Sequence, residues 1–203
     1  MSMPDSLKPG KPSFDLSALI KSARAQGDGE GARPVEKWHP DFCGDMDMVI
    51  KADGSWWHEG GRMTRMPLVK LFASILRKDA DGETYLVTPV EKIKIQVERA
   101  HFIATRVDIE GEGDEQRLFF TTNMDEVVEA GPQRPLRVET DPETMEPSPF
   151  ITVRGRLEAS LARPVFYELV EHAVECETPN GKVLGVMGGG AFFPLGPAGA
   201  HEI

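Results

Sequence analysis

Two cysteines in 203 residues, Cys43 and Cys176, lie far apart without CxxC spacing, so neither a disulfide framework nor a paired-thiol metal motif is indicated. Both are expected to be reduced thiols. No stretch approaches the roughly 20 apolar residues of a membrane-spanning helix, and the polar N-terminus carries no basic region followed by an apolar run. A cytoplasmic, soluble protein is the expectation. Positive charge is also short, with 23 Lys and Arg against 33 Asp and Glu, a formal net charge of -10. That balance excludes a nucleic-acid polymer as a bulk partner, since such a polymer is held by clustered cations releasing counterions. A single nucleotide needs only two or three local cations and is not excluded. With 40% apolar residues the chain can bury a core unaided.

What is present is unevenly placed. Residues 38 to 97 concentrate the rare residue types: Trp38-His39-Pro40, Cys43-Gly44-Asp45, Asp53-Gly54, Trp56-Trp57-His58-Glu59-Gly60 and Tyr85 to Lys92 sit between turn signals. Residues 1–12, with three prolines and a glycine, read as a disordered leader. Ser13 reads as an N-cap and Asp15 as a first-turn acid for a helix running to about Gln26, with Leu16, Leu19, Ile20 and Ala23 on its apolar face. Gly27 to Arg33 reads as a linker.

From Met46 the period changes to two, and Asp53-Gly54 supplies the positive φ of a two-residue hairpin. Pro67 opens a helix carrying Leu68, Leu71, Phe72, Ile75 and Leu76, and Asp81-Gly82 precedes a strand at Tyr85. Alternating segments then follow at 93–97, 103–109, 118–122, 126–129, 135–139 and 150–157, a density that favours a bent antiparallel sheet or partial barrel. Pro164 opens a further helix with Val165, Phe166, Leu169, Val170 and Ala173 on one face, and Asn180-Gly181 precedes a strand at Val183. The order strand, X-Pro, helix, Asp/Asn-Gly, strand thus occurs twice, with the prolines 97 and the glycines 99 residues apart. The expected architecture is α+β, two lobes with a duplicated strand-helix-hairpin core, divided as 13–89 and 90–203.

Three chemistries are weighed. Arg62, Arg65 and Lys70 follow Trp56 and Trp57, and Arg154, Arg156 and Arg163 occupy the corresponding region of the second copy. Guanidinium groups beside aromatic rings suit a phosphate and a stacked base. The favoured site for an anionic, nucleotide-derived ligand at the junction of the lobes is therefore Arg62, Arg65, Arg154 and Arg163 for charge, Trp56 and Tyr167 for stacking, and His58 for a directed hydrogen bond. The second reading is a metal- or thiol-dependent enzyme centred on His39, Cys43, Asp45 and His58, although a structural role is the favoured account of the same residues. The third is a protein-interaction module using an exposed sheet edge or groove. Asp79 to Glu83 lacks the later ligands of a calcium loop, and Gly188-Gly189-Gly190 lacks the Lys-Ser/Thr of a phosphate loop; both read as turns. No cofactor is implied.

Trp38-His39-Pro40, Cys43-Gly44-Asp45, Asp53-Gly54, His58-Glu59-Gly60, Pro67-Leu68-Val69, Leu86-Val87-Thr88-Pro89 and Glu91-Lys92 together resemble the bacterial DUF1285 family. Pro135 to Val138, Val153-Arg154 and Val165 to Leu169 extend the likeness, which covers about residues 35 to 195. The resemblance implies a two-domain α+β protein with a duplicated core, a pleckstrin-homology-like second domain, and a ligand site between domains. It further implies a nucleotide-like ligand and a role in signalling, including under oxidative stress. It brings no catalytic residues.

Overall fold

A computed structural model describes residues 16–26, 31–179 and 181–198. The expected leader, the Ser13 cap, Asp15, most of the linker and Asn180 lie outside them. The class is α+β: fifteen strands and three helices among the described residues.

Helix α1 (Leu16–Arg24) buries Leu19 and Ala23, two of the residues at helical spacing. A single 3-10 turn at Val35–Lys37 leads into β1 (Phe42–Ile50), where Met46, Met48 and Ile50 alternate into the core. β2 (Trp56–His58) and β3 (Gly61–Arg62) complete an antiparallel meander. The β1–β2 register pairs Ile50 with Trp56, so the loop is residues 51–55 and not the expected two-residue turn. Asp53 explains the longer loop: its Oδ1 accepts both the backbone N–H and the hydroxyl of Ser55, at 2.9 and 2.5 Å.

Helix α2 (Met66–Ser74) starts where Pro67 predicts, because a proline in the first turn has no N–H to leave unpaired. It ends sooner than the apolar spacing suggests. Ile75 and Leu76 pass directly into β4 (Leu76–Lys78), which pairs with β5 (Thr84–Val87), so Asp81-Gly82 is the hairpin turn between two strands. β6 (Lys92–Val97) pairs antiparallel with β5 and parallel with β1. A boundary between residues 89 and 90 would give β6 to the second lobe, whereas both of its ladders lie in the first sheet.

The second sheet is built from β7 (Phe102–Glu110), β8 (Arg117–Thr122), β9 (Val127–Glu129), β10 (Leu136–Thr140), β11 (Pro147–Arg154) and β12 (Leu157–Leu161). The expected single strand over 150–157 is two strands, turned at Gly155 with φ of 53°. Helix α3 (Arg163–Glu171) follows, then a third sheet of β13 (Val174–Thr178), β14 (Gly181–Gly188) and β15 (Ala191–Pro197). β15 packs beside β10.

The two six-stranded sheets share one strand order. Each consists of two three-stranded antiparallel meanders whose first and last strands pair in parallel, β1 with β6 and β7 with β12. The helix-plus-meander unit also recurs, as α2–β4–β5–β6 and as α3–β13–β14–β15. Short β4 and β13 occupy the same place after their helices. A continuous apolar cluster runs through the molecule, with Trp56, Phe72, Phe102 and Phe120 among its largest fully buried side chains. Among the described residues no helix is long and apolar enough to cross a membrane.

Candidate functional site

Between α2 and the second sheet lies a cleft of about 490 Å³. α2 contributes Met66, Pro67, Lys70 and Leu71, and the second sheet contributes Phe102, Met124, Asp125, Glu126 and Arg154, with Arg24 and Arg33 at one side. Its walls are mainly apolar, with four cations and two carboxylates around them.

Arg154, the last residue of β11, anchors the site. Its Nη2 donates to the carbonyl of Ala73 at 2.6 Å, its Nη1 bonds Glu126, and its guanidinium lies 5.2 Å from the centre of the Phe102 ring. Ala73 belongs to the last turn of α2, where carbonyls lack partners within the helix and carry its negative end. Arg33 serves the same terminus, its N–H reaching the Ser74 carbonyl at 3.0 Å and its Nε the Ser74 hydroxyl at 3.3 Å. The Arg154 Nε–H is buried with no acceptor among the described residues. A guanidinium held against an apolar wall is suited to a planar anion.

The turn joining β8 to β9 supplies the acids. Glu126 bonds Arg154 and Asp125 bonds Lys70 of α2. Asp125 has φ of 63°, a left-handed conformation that Asp and Asn tolerate better than other side chains.

The remaining residues expected at the site are dispersed. Trp56 is 1% exposed and stacks on Phe72 within the core, centroids 6.5 Å apart, so it offers no surface to a ligand. His58 Nδ1–H donates to the Asp47 carbonyl at 2.9 Å, holding β2 against β1. Arg62 is exposed on the edge strand β3, and Arg65 precedes α2, its carbonyl accepting the N–H groups of Leu68 and Val69. Arg163, at the start of α3, pairs with Glu146 at 2.7 Å, and Tyr167 is exposed on the same helix. Of that expected set, Arg154 alone lines the cleft. Lys70, expected beside Arg62 and Arg65, lines it too.

His39, Cys43, Asp45 and His58 form no metal centre: among the described residues no group of three or more His, Cys, Asp or Glu side chains could hold an ion. Cys43 is exposed, its thiol directed to the Asp41 carbonyl at 3.4 Å. The dense motif around them is built into a structural network instead. Buried Arg77 donates to the carbonyls of Val35 and Trp38 at 2.9 and 2.7 Å and to Asp79 at 2.6 Å, and Lys92 closes on Asp79 at 2.6 Å. Partial burial pushes Asp79 up, but the hydrogen bonds from Arg77 and Lys92 outweigh it and hold the carboxyl below its ordinary range. Burial and the bond to Asp81 push the Tyr85 phenol up to about 12. The Gly188–Gly190 run is the hairpin turn from β14 to β15; a Cβ on Gly189 would stand 2.4 Å from the Ala130 carbonyl, so the bare backbone is needed for packing.

A second, polar seam joins the sheets at His101, which immediately precedes β7. The Glu158 N–H donates to its Nδ1 at 3.1 Å, which fixes the proton on Nε2, and Nε2–H donates to Thr84 Oγ1 at 3.0 Å. Thr84 is on β5 and Glu158 on β12, so one imidazole joins the two sheets. Burial, reinforced by Lys78, pushes His101 down to about 4 despite the opposing charge of Glu158. Glu158 is itself held low by the Arg137 fork at 2.8 Å on each oxygen.

Residues that only the structure reveals are Arg24, Arg33, Met124, Asp125 and Glu126. Nothing local marks them, since their partners are far away in sequence; Asp125 inside a polar turn carries the nearest thing to a signal.

Comparison with known proteins agrees with this architecture. The chain matches "Domain of unknown function (DUF1285), N-terminal domain" over residues 33–100 and "Protein of unknown function (DUF1285), C-terminal domain" over residues 101–195. The junction falls between β6 and β7, where the sheets divide. A solved DUF1285 family protein from Silicibacter pomeroyi DSS-3 is 40% identical, with a TM-score of 0.80, covering 89% of this chain and 95% of that one. One from Shewanella baltica OS155 is 26% identical over 63% of this chain and 92% of that one, with a TM-score of 0.48. No curated protein matches the chain. With both family models matched in succession and a 40% identical relative of the same architecture, the chain belongs to the DUF1285 family.

Proposed function

We propose that the chain is a small-molecule-binding protein whose ligand is an anion with an apolar body, seated in the cleft between α2 and the second sheet. The observation that supports this best is the Arg154 guanidinium, set against Phe102 at the wall of a cleft of about 490 Å³. Ligand sites are characteristically concave, largely apolar and furnished with a few convergent polar groups, in a size range of roughly 300–1,000 Å³. Lys70, Arg24 and Arg33 add positive charge to the same surface in a chain that is otherwise acidic.

A nucleotide-derived ligand keeps its anionic half in this reading. Its stacking half has less support, because Trp56 is buried and Tyr167 lies on α3, outside the cleft lining. Met66, Pro67, Leu71 and Met124 favour an aliphatic or flat apolar body. A cytoplasmic signalling role, with a pleckstrin-homology-like second domain, accompanies the proposal: a ligand touching both α2 and β11 would couple its occupancy to how the two sheets sit together.

Titration with the fluorescent anion anilinonaphthalene sulfonate, followed by displacement with decanoate, pyrophosphate or ADP, tests the reading. One saturable site is expected, weakened by salt and by Arg154→Lys, which keeps the charge and loses the planar fork. Displacement by decanoate identifies the apolar anion and displacement by ADP the nucleotide. Absence of saturable binding by every probe refutes the proposal.

A further inference from the structure

Two of the cleft's four cations, Lys70 and Arg154, are already answered by carboxylates from one turn. Residues 123–126 connect β8 to β9, and within them Asp125 pairs with Lys70 of α2 while Glu126 pairs with Arg154 of β11. We propose that this acidic turn is a built-in competitor, its two carboxylates occupying the positions that the ligand's anionic group takes. The inference rests on the cleft being a ligand site, as proposed above.

The turn's backbone is held in place. Thr122 Oγ1 accepts the N–H groups of Met124 and Glu126 at 3.2 Å each, and the Asp125 N–H reaches the Thr122 carbonyl at 2.9 Å. Asn123 is tied to Ile103 twice, through its N–H at 2.8 Å and through its Oδ1, which accepts the Ile103 N–H at 3.0 Å. The segment therefore does not swing aside as a lid. Its carboxylates are another matter, because the Asp125 side chain is 76% exposed and that of Glu126 26% exposed, against 17% for Arg154. Releasing the acids to water costs little, whereas leaving the arginine without an anion costs much more.

Entry of a ligand is consequently an exchange. The incoming anion takes over the guanidinium as Glu126 rotates toward solvent, and the charge facing Arg154 is conserved throughout. Apparent affinity is reduced by the fraction of molecules in which the turn holds the cations. Selection follows from the same device, since a neutral apolar molecule gains nothing from displacing Glu126.

The double variant Asp125→Asn/Glu126→Gln tests this with anilinonaphthalene sulfonate as the probe. Asparagine is comfortable at the left-handed φ of 63°, and Glu126 takes part in the turn through its backbone, so the fold of the turn is retained. The variant should bind the probe about fivefold to tenfold more tightly than the wild type at low salt, the size expected for removing a partly exposed charge competitor, and the gap should close as salt screens the pairs. Where a thermal melt shows the double variant to be destabilised, Asp125→Asn alone supplies the comparison, with an expected gain of about twofold to threefold. Equal or weaker binding by the neutralised protein, with the wild type still saturable, overturns the competitor and leaves the ligand site standing. No saturable binding by either protein overturns both.

Discussion

Arg154 donates a 2.6 Å hydrogen bond to the carbonyl of Ala73, 81 residues earlier in the chain, and so fastens the end of β11 to the last turn of α2. The same side chain pairs with Glu126 and lies against Phe102. Removing it takes the side-chain donor from the Ala73 carbonyl and uncovers the face of the buried Phe102 ring. Arg154→Ala should therefore destabilise the protein by about 2–3 kcal/mol, the cost of unpairing buried polar groups discounted for partial exposure. Urea denaturation followed by tryptophan fluorescence measures it. A loss below about 0.5 kcal/mol would mean the contact is an ordinary surface ion pair.

His101 makes the polar seam between the sheets sensitive to acid. Its folded-state value of about 4 lies below the 6.5 of an unperturbed imidazole, so between those limits the unfolded chain binds a proton that the folded protein refuses. The stability contributed by the neutral ring is whole above pH 6.5 and is lost progressively as pH falls to about 4. Each pH step of one across that window removes about 1.4 kcal/mol, and the whole window about 3 kcal/mol. Glu158 and Asp79, held below their ordinary values, add their own losses only as pH falls through the carboxylate range. Denaturation midpoints at pH 7, 6 and 5 should decline in the wild type, and His101→Gln should flatten that decline. An unchanged slope in the variant would assign the acid response to other groups.

The parts of this fold that were legible in the sequence are those with local causes. Pro67 and Pro164 mark α2 and α3 because a proline in the first turn is a matter of backbone chemistry, and Met46, Met48 and Ile50 mark β1 because alternation with the pleat is equally local. β4 and β13 escaped notice: each is five residues or fewer and follows a helix after at most two residues, too short to show a period of its own. Only pairing with β5 and β14 makes them strands. The candidate site was legible in kind more than in membership. A cation near residue 154 meeting the first lobe was foreseeable from the repeat, but the identity of its partners depends on contacts 28 and 81 residues away. Trp56 misled because rarity and a neighbouring His-Glu-Gly suggested chemistry, while the fold uses its area to fill the first core against Phe72.

Gly54 separates backbone strain from packing at the junction of the sheets. It adopts φ of 76° in the β1–β2 loop, and a Cβ there would stand 2.9 Å from both Asn123 Nδ2 and Ile103 Cδ1 of the second sheet. Gly60, with φ of 74° in the next turn, has nothing within 4 Å of the same position. Both positions resist alanine through the left-handed backbone, a cost of about 1–2 kcal/mol. Gly54 adds a collision with the side-chain ends of Asn123 and Ile103, both half-buried, which places its cost at the low end of overpacking, about 1 kcal/mol more. Gly54→Ala should consequently be the more destabilising of the two by about 1 kcal/mol, and it alone should alter probe binding in the cleft, because a displaced Asn123 carries Asp125 and Glu126 with it. Paired thermal melts and titrations read both quantities. Equal losses of stability, with binding unchanged in each variant, would show that the Asn123 and Ile103 side-chain ends yield to the added methyl without moving the turn.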